Sequence, residues 1–238
     1  MRIYIGFDDT DILGSKRGTG KLARWFENEL PRECVLWGVV RQQLLVDDRI
    51  PYTSHNSSAC VIVDCPEDFP HEILISKAVS HIETNYIPGS DPGLCVCPEN
   101  HPDADLLINF GIRCASTIVT QKEAVEATGN VYLSGHGGTN DGIIGATAGI
   151  GLTLHGWSGR FIEYGRLRDF PDSVLVEKLR KSGVHVISID RDAPIPLDSD
   201  IVSTGGWLRP RLTGSMPVVF VSSIGKNLWR TIGDKHRK

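Results

Sequence analysis

Apolar and β-branched residues run together from Ile3 to Phe7 and stop at three carboxylates, Asp8, Asp9 and Asp11. This pattern predicts a short buried strand with an acidic end. The stretch LARWFENEL then spaces its apolar residues for an amphipathic helix over 21–30, and CVLWGVVRQQ (34–43) reads as the next strand. ACVIVD (59–64) predicts another strand, entered through Thr53, Ser54, His55, Asn56, Ser57 and Ser58. Small hydroxyl and amide side chains in that position close a turn or hold phosphate or ribose. Ile73, Leu74, Val79 and Ile82 give 70–86 a helical period. Almost twenty residues, IPGSDPGLCVCPENHPDAD, follow and read as an irregular lid loop, because proline and glycine punctuate them throughout. A turn and helix in GIRCASTIVTQKEAVEATGN, a short strand in VYLSG and a glycine-dense helix ending near Leu154 complete the first part. In the rest, DSVLVEKLRKSG predicts a helix with a glycine stop, VHVISID and MPVVFVSSIG predict strands, and DKHRK a frayed basic tail. GGWLRPRL places Trp207, Arg209 and Arg211 on a loop, as a base-stacking phosphate clamp or as a tryptophan anchor with solvated arginines.

Alternating strands and helices without repeats indicate an α+β fold of mixed sheets packed with helices. With 238 residues and 40% hydrophobic content the chain can bury a sizeable core, as one large domain or two lobes. The division expected is 1–168 and 169–238, the second a smaller αβ lobe of possible ferredoxin-like form. A net charge of −4 excludes a global basic field for nucleic acid and leaves a local groove open. No segment approaches 18 uninterrupted apolar residues and MRIYIGFDD does not resemble a signal peptide, so the expected location is the cytoplasm. The six cysteines lack paired C-x-x-C spacing. Cys95 and Cys97 form a C-x-C near His101 that suits a metal or a redox pair, against the alternative of reduced thiols in the core.

Carboxylates as close as Asp8, Asp9 and Asp11 repel one another unless a cation or a retained proton compensates them, and magnesium carrying a nucleotide phosphate is the usual cation. A solvated turn in which Asp11 or Thr10 caps a helix is the alternative. The loop GSKRGTGK, with Lys16, Arg17, Gly18 and Lys21, opens the first helix and suits an anion. It is not a Walker A loop, since Leu22 follows Lys21. Glycines 135, 137, 138, 142, 145, 149 and 151 are too many for an ordinary helix, each interior glycine costing about 1 kcal/mol relative to alanine. The early ones with Asn140 suit a phosphate cradle, Asp141 a helix cap or metal ligand, and Gly145, Ala146 and Gly149 a tight helix-on-sheet contact.

FDDTD, IPYTSHNSSACVIV and GTNDGIIGATAGIGL followed by GRFIEYGRLR resemble the catalytic region of the isoleucine-tRNA agmatidine synthetase family, over roughly 1–168. The resemblance implies a kinase-like lobe that binds ATP and Mg2+ and transfers a phosphoryl group. In that family the acceptor is an anticodon cytidine, activated for displacement by agmatine. Carried over, Asp8, Asp9 and Asp11 are the catalytic residues, Asp8 and Asp11 the metal ligands, and Gly138, Asn140, Gly142 and Gly145 approach the nucleotide. Gly18, Lys21 and Asp141 join the nucleotide site from local chemistry, with His136 as an acid or base. The family's OB-fold and zinc ribbon have no expected counterpart here, which leaves the acceptor open between a small molecule and a tRNA delivered with another subunit. Homo-oligomers are compatible with this. A non-catalytic nucleotide-binding module and a haloacid-dehalogenase-type phosphohydrolase built on Asp9-Thr10-Asp11 are the alternatives.

Overall fold

The computed structural model describes residues 1–53, 55–192 and 195–233. Ser54 and the basic tail lie outside them. The α+β class holds, and the chain divides into two compact units between His155 and Gly156.

The first unit begins β1 (Arg2–Asp8), α1 (Thr19–Trp25), β2 (Val35–Gln43), β3 (Ser57–Asp64), α2 (Glu72–Asn85) and β4 (Gly93–Pro98). Its sheet order is β4-β1-β3-β2, with every neighbouring pair antiparallel. That is the split βαβ arrangement. β5 (Tyr132–Gly135) extends the sheet beside β4, and α3 (Ala104–Cys114), α4 (Gln121–Thr128) and α5 (Gly142–His155) complete the unit.

Strand periodicity puts alternate residues of β1 on opposite faces. Phe7 packs with Phe26 and with His81 of α2, at ring-centroid distances of 5.6 and 6.2 Å. Gly6 faces α5, where an added Cβ would lie 2.2 Å from the Ala146 carbonyl oxygen. Helices therefore cover both faces, which is why Ile3 to Phe7 is apolar without alternation. α5 is buried on nearly every side. Gly149 meets Ser58 of β3, while Gly151 meets the Leu107 carbonyl of α3 and Gly111 of α3 meets α5 in return. The small face expected on this helix, Gly145, Ala146 and Gly149, packs on the sheet, and Gly151 adds a second close contact with α3.

The lid expected over 87–105 is not present as such. Gly93–Pro98 form β4, buried between β1 and β5, with Cys95 and Cys97 wholly inaccessible. The prolines that suggest irregularity bracket this strand. His101 turns to Asp103, whose backbone N–H donates to its Nδ1 at 3.2 Å. At α4 the Thr120 side chain accepts from Glu123 N–H and the Glu123 carboxylate accepts from Thr120 N–H, a complete capping box. Thr120→Ala is expected to cost about 1 kcal/mol in urea unfolding, and an unchanged midpoint would show that this cap contributes nothing.

The second unit contains β6 (Arg160–Glu163), β7 (Ser173–Leu175), α6 (Val176–Lys181), β8 (His185–Ser188), β9 (Ile201–Ser203), β10 (Arg211–Thr213), β11 (Met216–Gly225) and β12 (Leu228–Thr231). Its order is β6-β10-β11-β12-β9-β7, with β8 parallel to β11. The split βαβ order therefore belongs to the first unit, and the second runs β-β-α-β-β-β-β-β. DSVLVEKLRKSG is only half helical, because Ser173–Leu175 pair with β9 before the helix starts. Val174, Val202 and Trp229 are core residues, and Trp229 Nε1 donates to buried Asp200 at 2.9 Å.

Candidate functional site: an acidic pocket at the end of β1

The carboxylates sit where β1 ends and the chain turns. Asp8 continues the α5-facing side of the strand, and its carboxylate lies against the first turns of α5, so a Cβ at Gly145 would be 1.7 Å from Oδ2. Asp9 has φ +49, a left-handed conformation that aspartate tolerates, and this turns the chain. Thr10 is buried, its hydroxyl donating to Thr19 Oγ1 at 3.1 Å.

Asp11 is differently engaged. Thr19 N–H donates to its Oδ1 at 3.2 Å, and the Ser15 and Thr53 hydroxyls reach Oδ2 at 3.3 and 3.5 Å. It thus serves the start of α1, where the preceding Gly18 has no side chain to cap with. The basic loop meets Asp11 through Ser15 and Thr19, while its cationic side chains lie elsewhere. Arg17 and Lys21 both stack on Trp25, at 5.6 and 5.1 Å from the ring centroid, and Lys16 is exposed.

Two further carboxylates lie close enough to act on the charge of Asp9. Asp91 lies within the proline-glycine stretch, and its Oδ2 accepts from Thr139 Oγ1 at 2.6 Å while its carbonyl accepts from Gly142 N–H at 3.0 Å. Asp141 accepts from Gln121 Nε2, which also donates to the Thr139 carbonyl. Residue type alone gives no sign of Asp91 or Gln121, since each reads as ordinary turn or helix chemistry.

The electrostatics follow from this crowding. Burial, then the Asp9 charge, raises Asp8 to about 8, a backbone hydrogen bond opposing. Burial, then Asp91, Asp11 and Asp141, raises Asp9 to about 6. Asp9 therefore ionises while Asp8 is still neutral, and Asp8 ionises against that charge. Neither makes an ion pair with a described residue.

The glycine loop owes its composition to the chain's own atoms. A Cβ on Gly138, at φ +55, would strike the Asp91 carboxylate, one on Gly142 would lie 2.3 Å from the Asp91 carbonyl oxygen, and one on Gly135 would meet the Asn140 side chain. Asn140 itself has φ +65 and closes a turn by donating from its N–H to the Gly137 carbonyl. His136 turns away from the aspartates. Its Nε2 is 2.8 Å from Ser134 Oγ and its Nδ1 is 3.8 Å from Glu83. In the second unit Arg168 and Arg209 lie over Trp207, whereas Arg211 belongs to β10 and lies over Phe220.

Among the described residues, no three His, Cys, Asp or Glu side chains form a ready metal cage. The pocket still fits magnesium, which keeps several waters and typically takes one or two carboxylates with the remainder from substrate phosphates. It fits because Asp9 is charged at neutral pH, and Asp8 beside it holds a proton that a cation would displace, with no described cation paired to either.

No protein-family model and no curated protein sequence matches the chain. Solved structures do. A complex of TiaS with its isoleucine tRNA and ATP superposes with a TM-score of 0.55 at 24% identity over 63% of this chain and 36% of that one. A complex of TiaS with the same tRNA, AMPCPP and agmatine gives 0.54 at 24% identity over 76% and 44%. A tRNA fluorescent labeling enzyme gives 0.50 at 25% identity over 63% and 36%. The chain spans less than half the length of each. It shares the fold of part of TiaS, the isoleucine-tRNA agmatidine synthetase, the family that its motifs resemble. No helix among the described residues is long and apolar enough to cross a membrane.

Proposed function

We propose that the protein is an ATP- and Mg2+-dependent phosphoryl-transfer enzyme, with the unit Met1–His155 as a kinase-like nucleotide-binding lobe. The observation that carries this reading is the group of crowded, half-buried carboxylates at the end of β1, two with raised pKa and neither paired with a described cation. Likeness in fold to TiaS complexes with ATP and with AMPCPP supports it.

Asp8 and Asp9 would hold magnesium, Asp91 and Asp141 adding to the field that draws it in. Asp11, the second metal ligand expected from sequence, would have to exchange its Thr19, Ser15 and Thr53 contacts to take that part. When bound, the ion neutralises charge on the transferring phosphate. The protein's share is positional. Asp91 and Thr139 fix the loop 135–141, so that Gly138, Asn140 and Gly142 can lie beside a nucleotide, and Asp9, ionised at neutral pH, would orient an acceptor beside the ion, or deprotonate it where Asp8 alone holds the ion. The acceptor is a tRNA delivered with another subunit or a small molecule, in the cytoplasm; the complexes of TiaS with tRNA, and with tRNA and agmatine, support a tRNA.

Calorimetric titration of the whole chain with ATP is expected to show binding that requires Mg2+, followed by phosphate or ADP release when tRNA and agmatine are supplied. No ATP binding in any condition would overturn the proposal. Binding without turnover across a broad acceptor screen would reduce it to a nucleotide-binding module.

A further inference from the structure

At the opposite end of β3 from the acidic pocket, two thiols meet. Cys34 immediately precedes β2 and Cys65 immediately follows β3, so they lie one step beyond the Val35↔Asp64 pair of the antiparallel ladder. Their sulfurs are 2.7 Å apart. Their backbones do not bond to each other. Cys34 N–H donates to the Pro31 carbonyl, and Cys65 exchanges hydrogen bonds with Met1, whose amine donates to the Cys65 carbonyl at 2.7 Å. A cross-strand pair of this non-hydrogen-bonded kind has the Cα spacing that a disulfide needs.

The other cysteines provide the contrast. Cys60, Cys95, Cys97 and Cys114 are buried thiols, none with its sulfur in contact with another among the described residues. Cys34 and Cys65 retain exposures of 7% and 9%, against 5% for Cys114 and none for Cys60, Cys95 and Cys97.

We propose that Cys34 and Cys65 are a reversible disulfide site, closed by a peroxide and reopened by a dithiol. This inference does not rest on the reading of the acidic pocket. Cys34 Sγ attacks one peroxide oxygen, the O–O bond breaks, and the thiol is oxidised to a sulfenic acid with release of one water. Cys65 Sγ then attacks that sulfur, the S–O bond breaks, and the hydroxyl leaves with the Cys65 proton as a second water. Two thiols are oxidised and one peroxide is reduced. Burial, with contact from Cys34, raises the Cys65 thiol, so little of it is thiolate at neutral pH and closure of the bond should speed up as pH rises. The bond would tie the N-terminal strand, the entry to β2 and the exit of β3 together, closing a loop of about thirty residues. Closure of a loop that long restricts the unfolded chain.

The test treats the whole protein with dilute hydrogen peroxide, counts thiols and maps the digest by mass spectrometry without reduction. Free thiols are expected to fall from six to four, with one cross-linked fragment joining the Cys34 and Cys65 peptides. Dithiothreitol should restore six. Oxidised protein should melt about 5–10 °C higher, and the Mg2+–ATP titration should be unchanged, since the pair is remote from Asp8. Six thiols after treatment, a cross-link between other cysteines, or oxidation to sulfinic acid without a cross-link would each overturn the assignment. Cys34→Ser should abolish the cross-linked fragment, and the wild-type map stands alone should that variant not fold.

Discussion

Gly93→Ala should destabilise the protein by about 3 kcal/mol or more, at or above the upper end of ordinary overpacking costs. Gly93 opens β4, and its φ is not in the left-handed region, so the penalty is steric and owes nothing to backbone strain. An alanine Cβ there would lie 2.0 Å from the Gly142 carbonyl carbon, 2.2 Å from its oxygen and 2.3 Å from Ile143 N. All three are backbone atoms at the start of α5, so no side chain can swing aside. Relief requires the helix to move off the sheet, which would also loosen Gly145 from Asp8 and Gly151 from α3. Domains have roughly 5–15 kcal/mol to lose, so the variant should show a clearly lower urea midpoint with slope retained. Gly225→Ala is the control, because its Cβ would meet only Leu228 at 3.8 Å. Equal midpoints for Gly93→Ala and wild type would mean that α5 does not press on β4.

The same contact explains what the sequence could and could not disclose. Ile3 to Phe7 announces a buried strand because burial on both faces leaves a continuous apolar run, and the abrupt change at Asp8 marks its end. The glycines of α5 announce close approach, since nothing else offsets their cost in a helix. What approaches is not local information. At Gly138 and Gly142 it is Asp91, some fifty residues earlier in a stretch whose prolines mask β4. Asp11 is legible as either a metal ligand or a cap, and only the position of Thr19 shows its present partner. Lys21 and Arg17 are basic residues in an anion-like loop, yet they sit on Trp25, a preference that charge spacing does not reveal. DSVLV reads as helix because its strand partner, β9, lies beyond the helix that follows.

Removal of the Asp8 charge should have opposite effects on stability and on ligand binding. Asp8 is protonated in the folded protein up to about pH 8, whereas an aspartate in the unfolded chain releases its proton near 3.8. Between those values the folded state holds the extra proton, so stability falls as pH rises from about 4 to about 8 and is level above that. Asp8→Asn abolishes this component of the slope. The variant should match wild type near pH 4 and exceed it at pH 8.5 by on the order of 2 kcal/mol, a figure reduced for partial solvent access. At pH 8.5 a cation that binds the carboxylate should reverse the order, Mg2+ with ATP raising the melting temperature of wild type and leaving Asp8→Asn unmoved. A purely structural aspartate would show the first effect without the second. Equal stability of the two proteins at both pH values would mean that Asp8 ionises normally, and the charge argument for a metal at this pocket would then have no footing. A gain in stability at high pH combined with undiminished Mg2+–ATP binding would shift the ligand role to Asp9 and Asp91, whose charges remain in the variant.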